Sequence, residues 1–67
     1  MKKEVSNRVY ELRERMRMTQ EELAHEVGVS RQTIIAIEKG NYTPSVFLAL
    51  TISRYFNKKL EDVFYLT

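Results

Sequence analysis

Apolar residues recur along most of the chain at the three- and four-residue spacing of amphipathic helices. Near the start, Val5, Val9, Leu12 and Met16 follow this spacing, which predicts one apolar stripe on a first helix. No stretch shows the regular alternation of apolar and polar residues that would make a convincing strand. The pattern therefore predicts an all-α fold.

Capping residues and glycines mark the second and third predicted helices. Thr19 and Glu22 have the spacing of a capping box, and Gly28 is the expected left-handed residue at the end of the second helix. Ser30 is the expected N-cap of the third helix, and Gly40 follows its end. The two helices are separated by a very short turn.

Two further helices are expected after a loop. Ser45 is a suitable N-cap for a fourth helix, and Asn57 is its expected stop because Asn tolerates the left-handed conformation. Leu60, Val63 and Phe64 have helical spacing and predict a fifth helix of one or two turns. The prediction is a single domain of five short helices.

The second and third helices have the features of a helix-turn-helix. Ala24 is small enough for two helices to cross closely, and Gly28 supplies the tight turn between them. Ile34 and Ile37 would anchor the third helix in the core. The other face of that helix would then be free to enter the major groove of DNA.

Three segments of this region are similar to a known family signature: Thr19-Gln20-Glu21-Glu22-Leu23-Ala24, Gly28-Val29-Ser30-Arg31-Gln32-Thr33-Ile34 and Ile37-Glu38-Lys39-Gly40. They resemble the lambda-repressor-like, Cro/XRE-type helix-turn-helix family, and the resemblance extends over residues 7–13 and 44–64. It implies a five-helix DNA-binding domain over residues 1–67, with the helix-turn-helix at about 19–39. Asn57 and Lys59 depart from the family pattern, near the start of the fifth helix.

The outward face of the third helix holds the expected base-reading residues. At 100° per residue, Gln32, Ile35 and Ala36 point away from the core, and Arg31 lies at the flank. The resemblance implies that this face enters the major groove. Arg31 suits guanine and Gln32 suits adenine, while Ile35 and Ala36 suit thymine methyl groups. Ile35 is equally well interpreted as an exposed apolar side chain without a function.

Polar residues around this face suit contacts with DNA phosphates, which set the register without reading sequence. The candidates are Gln20, Ser30, Thr33, Lys39, Asn41, Tyr42 and Thr43. Gln20 matches a DNA-facing glutamine of the resembled family. For Lys39 and Tyr42, an ordinary solvated surface is nearly as good an interpretation.

Arg13 and Glu38 are opposite charges on the facing sides of the first and third predicted helices. Because an unpaired buried charge is very costly, the two are expected to form an ion pair. The resemblance also implies such a pair. We expect it to orient the third helix without contacting a base.

Most aromatic residues lie towards the end of the sequence, and they exceed what so small a core can hide. The expected homodimer interface comprises Phe47, Tyr55, Phe64, Tyr65 and Leu66, although Phe56 and Phe64 also fit the core. A dimer would place two recognition helices roughly 34 Å apart on a two-fold symmetric operator. The alternative is a thicker core in a monomer.

Composition excludes several classes of protein. The 67 residues include no Cys, so neither a disulfide nor a Cys-based zinc site is possible, and His25 alone cannot form a metal cluster. No catalytic motif is present, so we expect no enzyme activity, cofactor or metal. No apolar run approaches the roughly 20 residues of a membrane helix, and none follows the basic start Met1-Lys2-Lys3. We therefore expect a cytoplasmic protein.

The sequence as a whole predicts a small homodimeric regulator that binds double-stranded DNA. Its net charge of +2 permits a nucleic-acid partner without requiring one. Repression by occupying a promoter is favoured, because 67 residues leave no room for a separate ligand domain. The alternative is an antitoxin-type or other protein-interaction module that uses the aromatic C-terminal surface.

Overall fold

The computed structural model describes residues 3–67, in which five helices surround a common core and the two ends of the chain pair with each other. The elements in chain order are β1 (Val5–Asn7), α1 (Val9–Arg15), α2 (Gln20–Val27), α3 (Arg31–Glu38), α4 (Val46–Tyr55), α5 (Leu60–Val63) and β2 (Phe64–Leu66). The first two residues of the basic start Met1-Lys2-Lys3 lie outside the described part of the chain. Within residues 3–67, no helix has both the length and the apolar character needed to cross a membrane.

Side-chain caps fix where three of the helices begin. The hydroxyl of Thr19 accepts from the amide of Glu22 at 3.0 Å, and the Glu22 carboxylate accepts from the amide of Thr19 at 2.8 Å. The predicted capping box of α2 is therefore confirmed. Ser30 and Ser45 cap α3 and α4, each accepting from the amide three residues along.

Left-handed residues follow the ends of the helices. Gly28 (φ 79°), Gly40 (φ 80°) and Asn57 (φ 58°) occupy the positions that the sequence predicted. Arg17 is also left-handed, with φ 54°, in the connection between α1 and α2. The sequence did not predict this conformation, because Arg adopts it much less readily than Gly or Asn.

The structure contains a two-stranded sheet that the sequence pattern did not predict. β1 and β2 are antiparallel, with Val5 opposite Leu66 and Asn7 opposite Phe64. The assignment of Val5 to the first helix was therefore wrong, since α1 begins at Val9. A three-residue strand is too short to show alternation, and its partner lies at the other end of the chain.

The core draws on all five helices. Its fully buried side chains are Val9, Leu23, Ile34, Ile37, Ile52 and Val63. Phe56 and Phe64 are also buried, each 8% exposed. Met16, predicted on the buried stripe of the first helix, is instead 50% exposed, because α1 ends at Arg15 and the chain turns away there.

Candidate nucleic-acid interface

The packing of α2 against α3 creates an outward helix face. Ala24 is 3% exposed at this contact, and its carbonyl accepts from the amide of Val29 at 3.0 Å, which closes the turn after Gly28. Ile34 and Ile37 are completely buried on the inner side of α3. The opposite side of α3 is therefore turned away from the core, as in a DNA-reading helix.

The expected base-reading residues lie on α3 in two environments. Arg31 and Gln32 are exposed in its first turn, whereas Ile35 and Ala36 are partly buried one turn further on. Within the described chain, neither the side chain of Arg31 nor that of Gln32 takes part in a hydrogen bond or ion pair. Both side chains are thus available for a partner, and their contact with bases stays a prediction.

The expected phosphate-binding residues on α3 and beyond it frame the same face. Ser30 and Thr33 join their hydroxyls at 3.1 Å at the start of α3. Exposed positions continue past the end of the helix: Lys39, Asn41, Tyr42 and Thr43. These groups offer hydroxyl, amide and ammonium donors at both ends of α3, which is the chemistry that phosphate oxygens accept.

Gln20 is half-buried and already has a partner. Its side-chain nitrogen donates to Oε1 of Glu38 at 3.1 Å, which links the first residue of α2 to the last residue of α3. A carboxylate accepts hydrogen bonds and cannot donate them, so the amide nitrogen must face Glu38. One N–H of Gln20 is not used by Glu38, and a contact of Gln20 with a phosphate stays a prediction.

A two-point ion pair secures the end of α3. Arg13 Nε donates to Glu38 Oε2 at 2.7 Å and Arg13 Nη2 donates to Oε1 at 3.1 Å. Both side chains are buried, with 7% and 6% of their surfaces exposed. Arg13 Nη1 donates to the carbonyl of Met18 at 2.7 Å and lies 3.4 Å from the exposed carboxylate of Glu14. The structure thus brings together the two charges that the sequence singled out.

The hydrogen bonds that Arg13 donates to Glu38 raise the pKa of Arg13, and burial opposes that rise to a lesser extent. The guanidinium therefore keeps its charge over the whole pH range in which the protein is folded. Within residues 3–67, no buried side-chain nitrogen or oxygen lacks a hydrogen-bond partner. The pair is accordingly a satisfied network and not a stray buried charge.

Comparison with known proteins decides the family. The model of the helix-turn-helix family matches residues 9–63, which spans α1 through α5. The chain belongs to the Cro/XRE-type helix-turn-helix family. Members of this family are DNA-binding regulators and not enzymes. His25 is exposed on α2, and no cluster of metal-ligating side chains occurs within the described residues.

Three relatives illustrate the match of this Cro/XRE-type chain. It is 55% identical over 62 residues to the uncharacterised HTH-type transcriptional regulator YgzD of Bacillus subtilis, covering 92% of this chain and 94% of YgzD. It is 56% identical over 57 residues to an uncharacterised HTH-type transcriptional regulator of Archaeoglobus fulgidus, covering 85% of this chain and 80% of that regulator. The crystal structure of the transcriptional regulator VanUg superimposes with a TM-score of 0.79 at 28% sequence identity. The superposition covers 100% of this chain and 89% of VanUg.

Asn7 is a further residue near the Cro/XRE-type recognition helix, and sequence analysis did not single it out. Its side-chain oxygen accepts from the amide of Val9 at 3.0 Å, and its side-chain nitrogen donates to the carbonyl of Ile37 at 3.0 Å. Asn side chains commonly accept from the amide two residues along, as in an Asx turn, which accounts for the first bond. Nothing local signals the second bond, because it joins residues 30 positions apart.

The residues expected at a dimer interface separate into two groups. Phe64 is in the core, so its assignment to an exposed interface is corrected. Tyr55 is half-buried and donates its hydroxyl to the sulfur of Met18 at 3.5 Å. Tyr65 is half-buried, with the Arg8 guanidinium 4.4 Å from its ring centre. Pairing of β2 with β1 buries Phe64, whereas Tyr55 is partly covered at the end of α4 and Tyr65 is partly covered by Arg8.

The exposed apolar side chains near the C-terminus form what we call the C-terminal apolar surface. It comprises Val46, Phe47, Leu50 and Leu66, of which Phe47 is the most exposed at 81%. Val46 and Leu66 also line a shallow, mainly apolar cavity of about 400 Å³ between the start of α4 and β2. Apolar side chains grouped in this way typify a surface that contacts another macromolecule.

Proposed function

We propose that this protein is a transcriptional repressor that binds a palindromic operator as a homodimer and inserts α3 into the major groove. The observation that supports this most directly is the state of Arg31 and Gln32. Both side chains are exposed at the start of α3 and have no hydrogen-bond partner among the described residues. On the opposite side of this helix, Ile34 and Ile37 are completely buried. A helix held in this way presents its first turn to base edges.

Base reading is proposed for Arg31, Gln32, Ile35 and Ala36. The guanidinium of Arg31 matches O6 and N7 of guanine, and the amide of Gln32 matches N6 and N7 of adenine. Ile35 and Ala36 keep part of their apolar surface accessible and would pack on thymine methyl groups. The two environments on α3 thus suit two kinds of contact.

Phosphate binding is proposed for the polar residues around α3: Gln20, Ser30, Thr33, Lys39, Asn41, Tyr42 and Thr43. Among these, only Lys39 brings a positive charge. Its contact would add to the salt dependence of binding, whereas the neutral donors would mainly fix the register. Gln20 can contribute through the N–H that Glu38 does not use.

Homodimerisation is proposed through the C-terminal apolar surface, with Phe47 and Leu66 at its centre and the outer edge of Tyr65 beside them. Exposed Phe47 and the adjacent cavity give one surface both a projection and a recess, which suits the self-complementary contact of a two-fold dimer. Phe64 lines the same cavity from the core side. We also propose that the protein is cytoplasmic and represses by occupying a promoter, since both follow from a DNA target.

Selection of binding sites from a random pool of DNA duplexes tests this function. We expect an inverted repeat whose half-sites are about one helical turn apart, with guanine and adenine among the selected bases. Binding to that site is expected to weaken with salt by a log–log slope of about −0.9 for each phosphate neutralised. The proposal would be refuted if no sequence were enriched in the pool and the affinity for DNA did not change with salt concentration.

A second candidate function uses the same C-terminal apolar surface for a different protein, as an antitoxin does. Exposure of Phe47 and Val46 beside an apolar cavity favours it. The two candidates differ in what the purified protein does alone. Dimers at micromolar concentration that bind a selected operator support the regulator, whereas a monomer without DNA preference supports the interaction module.

A further inference from the structure

The side chain of Asn7 joins the paired ends of the chain to the helix proposed to read DNA. Its nitrogen donates to the carbonyl of Ile37 at 3.0 Å while its oxygen accepts from the amide of Val9 at 3.0 Å. The chemistry of these partners fixes the orientation of the amide, because a carbonyl can only accept and an N–H can only donate. Asn7 therefore holds the start of α1 and the end of α3 at once.

The bond to Ile37 adds a second tether to one end of α3. The next residue, Glu38, is held by Arg13 from α1, at 2.7 and 3.1 Å. Consecutive residues in the last turn of α3 are thus anchored to β1 and to α1. At the other end, the cap between Ser30 and Thr33 is internal to the start of the helix. Within the described chain, α3 is held there by the buried side chain of Ile34 and by the turn from α2, without a side-chain tether to α1 or β1.

The length of α3 converts a small rotation at this anchored end into a large displacement at the other. Its eight residues span roughly 10 Å from first to last. A tilt of about 10° would therefore move Arg31 and Gln32 by about 2 Å. Hydrogen bonds to base edges tolerate only about 0.5 Å of variation in length, so such a tilt would misplace both side chains.

We propose that Asn7 is a positioning residue for sequence recognition: it sets the direction of α3 through the carbonyl of Ile37 without touching DNA. This proposal rests on the proposed function of α3. It also makes the direction of α3 depend on the sheet, since Asn7 is held opposite Phe64 in the pairing of β1 with β2.

Asn7→Asp separates the bond to Ile37 from the local bond to Val9. An aspartate keeps the oxygen that accepts from Val9, and it replaces the donor to Ile37 with a second acceptor. Ser6→Ala is the matched control, because Ser6 is the neighbouring residue of β1 and loses one hydrogen bond, to Thr67, that does not involve α3. Asn7→Ser serves as a second test variant, since its hydroxyl can still accept from the amide of Val9 but the side chain is too short to reach Ile37.

The measurement is the ratio of affinities for the selected operator and for a scrambled duplex at one salt concentration. The added charge of aspartate weakens both affinities and cancels in the ratio. We expect Asn7→Asp and Asn7→Ser to lower the ratio about tenfold, as for a lost hydrogen bond that aligns the reading helix, and Ser6→Ala to leave it unchanged. Equal ratios for all four proteins would overturn the positioning role.

A measurement without DNA separates this proposal from the proposed function. In amide NMR spectra of the free protein, Asn7→Asp is expected to shift the resonances of Arg31 and Gln32 at the far end of α3, whereas Ser6→Ala leaves them in place. Shifts confined to the neighbourhood of Asn7 and Ile37 would contradict a change in helix direction. A wild-type affinity ratio near one would instead overturn the function proposed for α3, and the role of Asn7 in recognition with it.

Discussion

The guanidinium of Arg13 donates two hydrogen bonds to the carboxylate of Glu38, with Nε 2.7 Å from Oε2 and Nη2 3.1 Å from Oε1. The two residues are 25 positions apart in the sequence. Both side chains are buried, and the same carboxylate also accepts from Gln20 at 3.1 Å. One carboxylate therefore joins α1, α2 and the end of α3. The geometry of the helix-turn-helix depends on this shared contact.

Removing the carboxylate alone should destabilise the protein strongly. Glu38→Ala leaves the buried guanidinium of Arg13 without its main partner, and we expect a loss of about 3–5 kcal/mol in the free energy of unfolding. Glu14→Ala is the matched control, because Glu14 contacts the same guanidinium from an exposed position. That variant should lose at most about 1 kcal/mol in chemical denaturation. Similar losses for the two variants would show that burial of the pair does not matter.

Substitutions in the first turn of α3 should change which bases are preferred. Arg31→Ala removes the donors proposed for guanine and is expected to reduce discrimination at one base pair by about 1–3 kcal/mol. Gln32→Ala should act in the same way at a different base pair. Site selection with each variant measures this. Unaltered preferences in both variants would place base reading elsewhere on the protein.

Lys39 should affect affinity without affecting preference. Lys39→Ala removes an exposed charge just past the end of α3, so all sequences should bind more weakly. The log–log salt slope should become shallower by about 0.9 if one phosphate contact is lost. Lys58→Ala, which removes an exposed lysine from the connection between α4 and α5, provides the comparison. Identical salt slopes for both variants and the wild type would exclude a phosphate contact by Lys39.

The C-terminal apolar surface should control association. Phe47→Ser and Leu66→Ser each remove an exposed apolar side chain, so both should shift the dimer towards monomer while leaving the core intact. Analytical ultracentrifugation measures the shift. Met16→Ser is the control, since Met16 is 50% exposed on a different part of the chain. Dissociation by Met16→Ser alone would mean that the interface lies elsewhere.

The turn between α2 and α3 should tolerate a side chain poorly for reasons of backbone conformation alone. Gly28 has φ 79°, and a β-carbon at that position would have no atom within 4 Å. Gly28→Ala is therefore expected to cost about 1–2 kcal/mol in the free energy of unfolding without any steric clash. Gly28→Asn should cost less, because Asn adopts this conformation more readily. Equal stability of Gly28→Ala and the wild type would contradict this cause.

Much of the helix-turn-helix was predictable because its signals are local. Thr19 and Glu22 form their capping box across three residues, and Gly28 adopts the left-handed conformation that its missing side chain permits. The expected contact of Arg13 with Glu38 drew on helical periodicity and on a family resemblance. The contacts of α3 with bases and phosphates remain predictions for the experiments above.

The two strands and the burial of Phe64 depend on residues that are distant in sequence, so local patterns gave wrong predictions for them. Val5 has the right spacing for α1, yet it pairs with Leu66 in a sheet whose strands have only three residues each. Phe64 was expected both in the core and at an interface, and the pairing of the chain ends places it in the core. Isolated strands this short have no stability of their own, so nothing in either segment alone reveals them.

Caps, glycines and helical periodicity act within a few residues, so they made the bounds of helices α2 to α4 and the apolar side of α3 predictable. Three features became visible only in the folded chain: Asn7 reaches the carbonyl of Ile37, Gln20 shares Glu38 with Arg13, and Phe47 and Leu66 stay exposed. Each depends on how separate elements pack, and that geometry exists only once the core has brought those elements together.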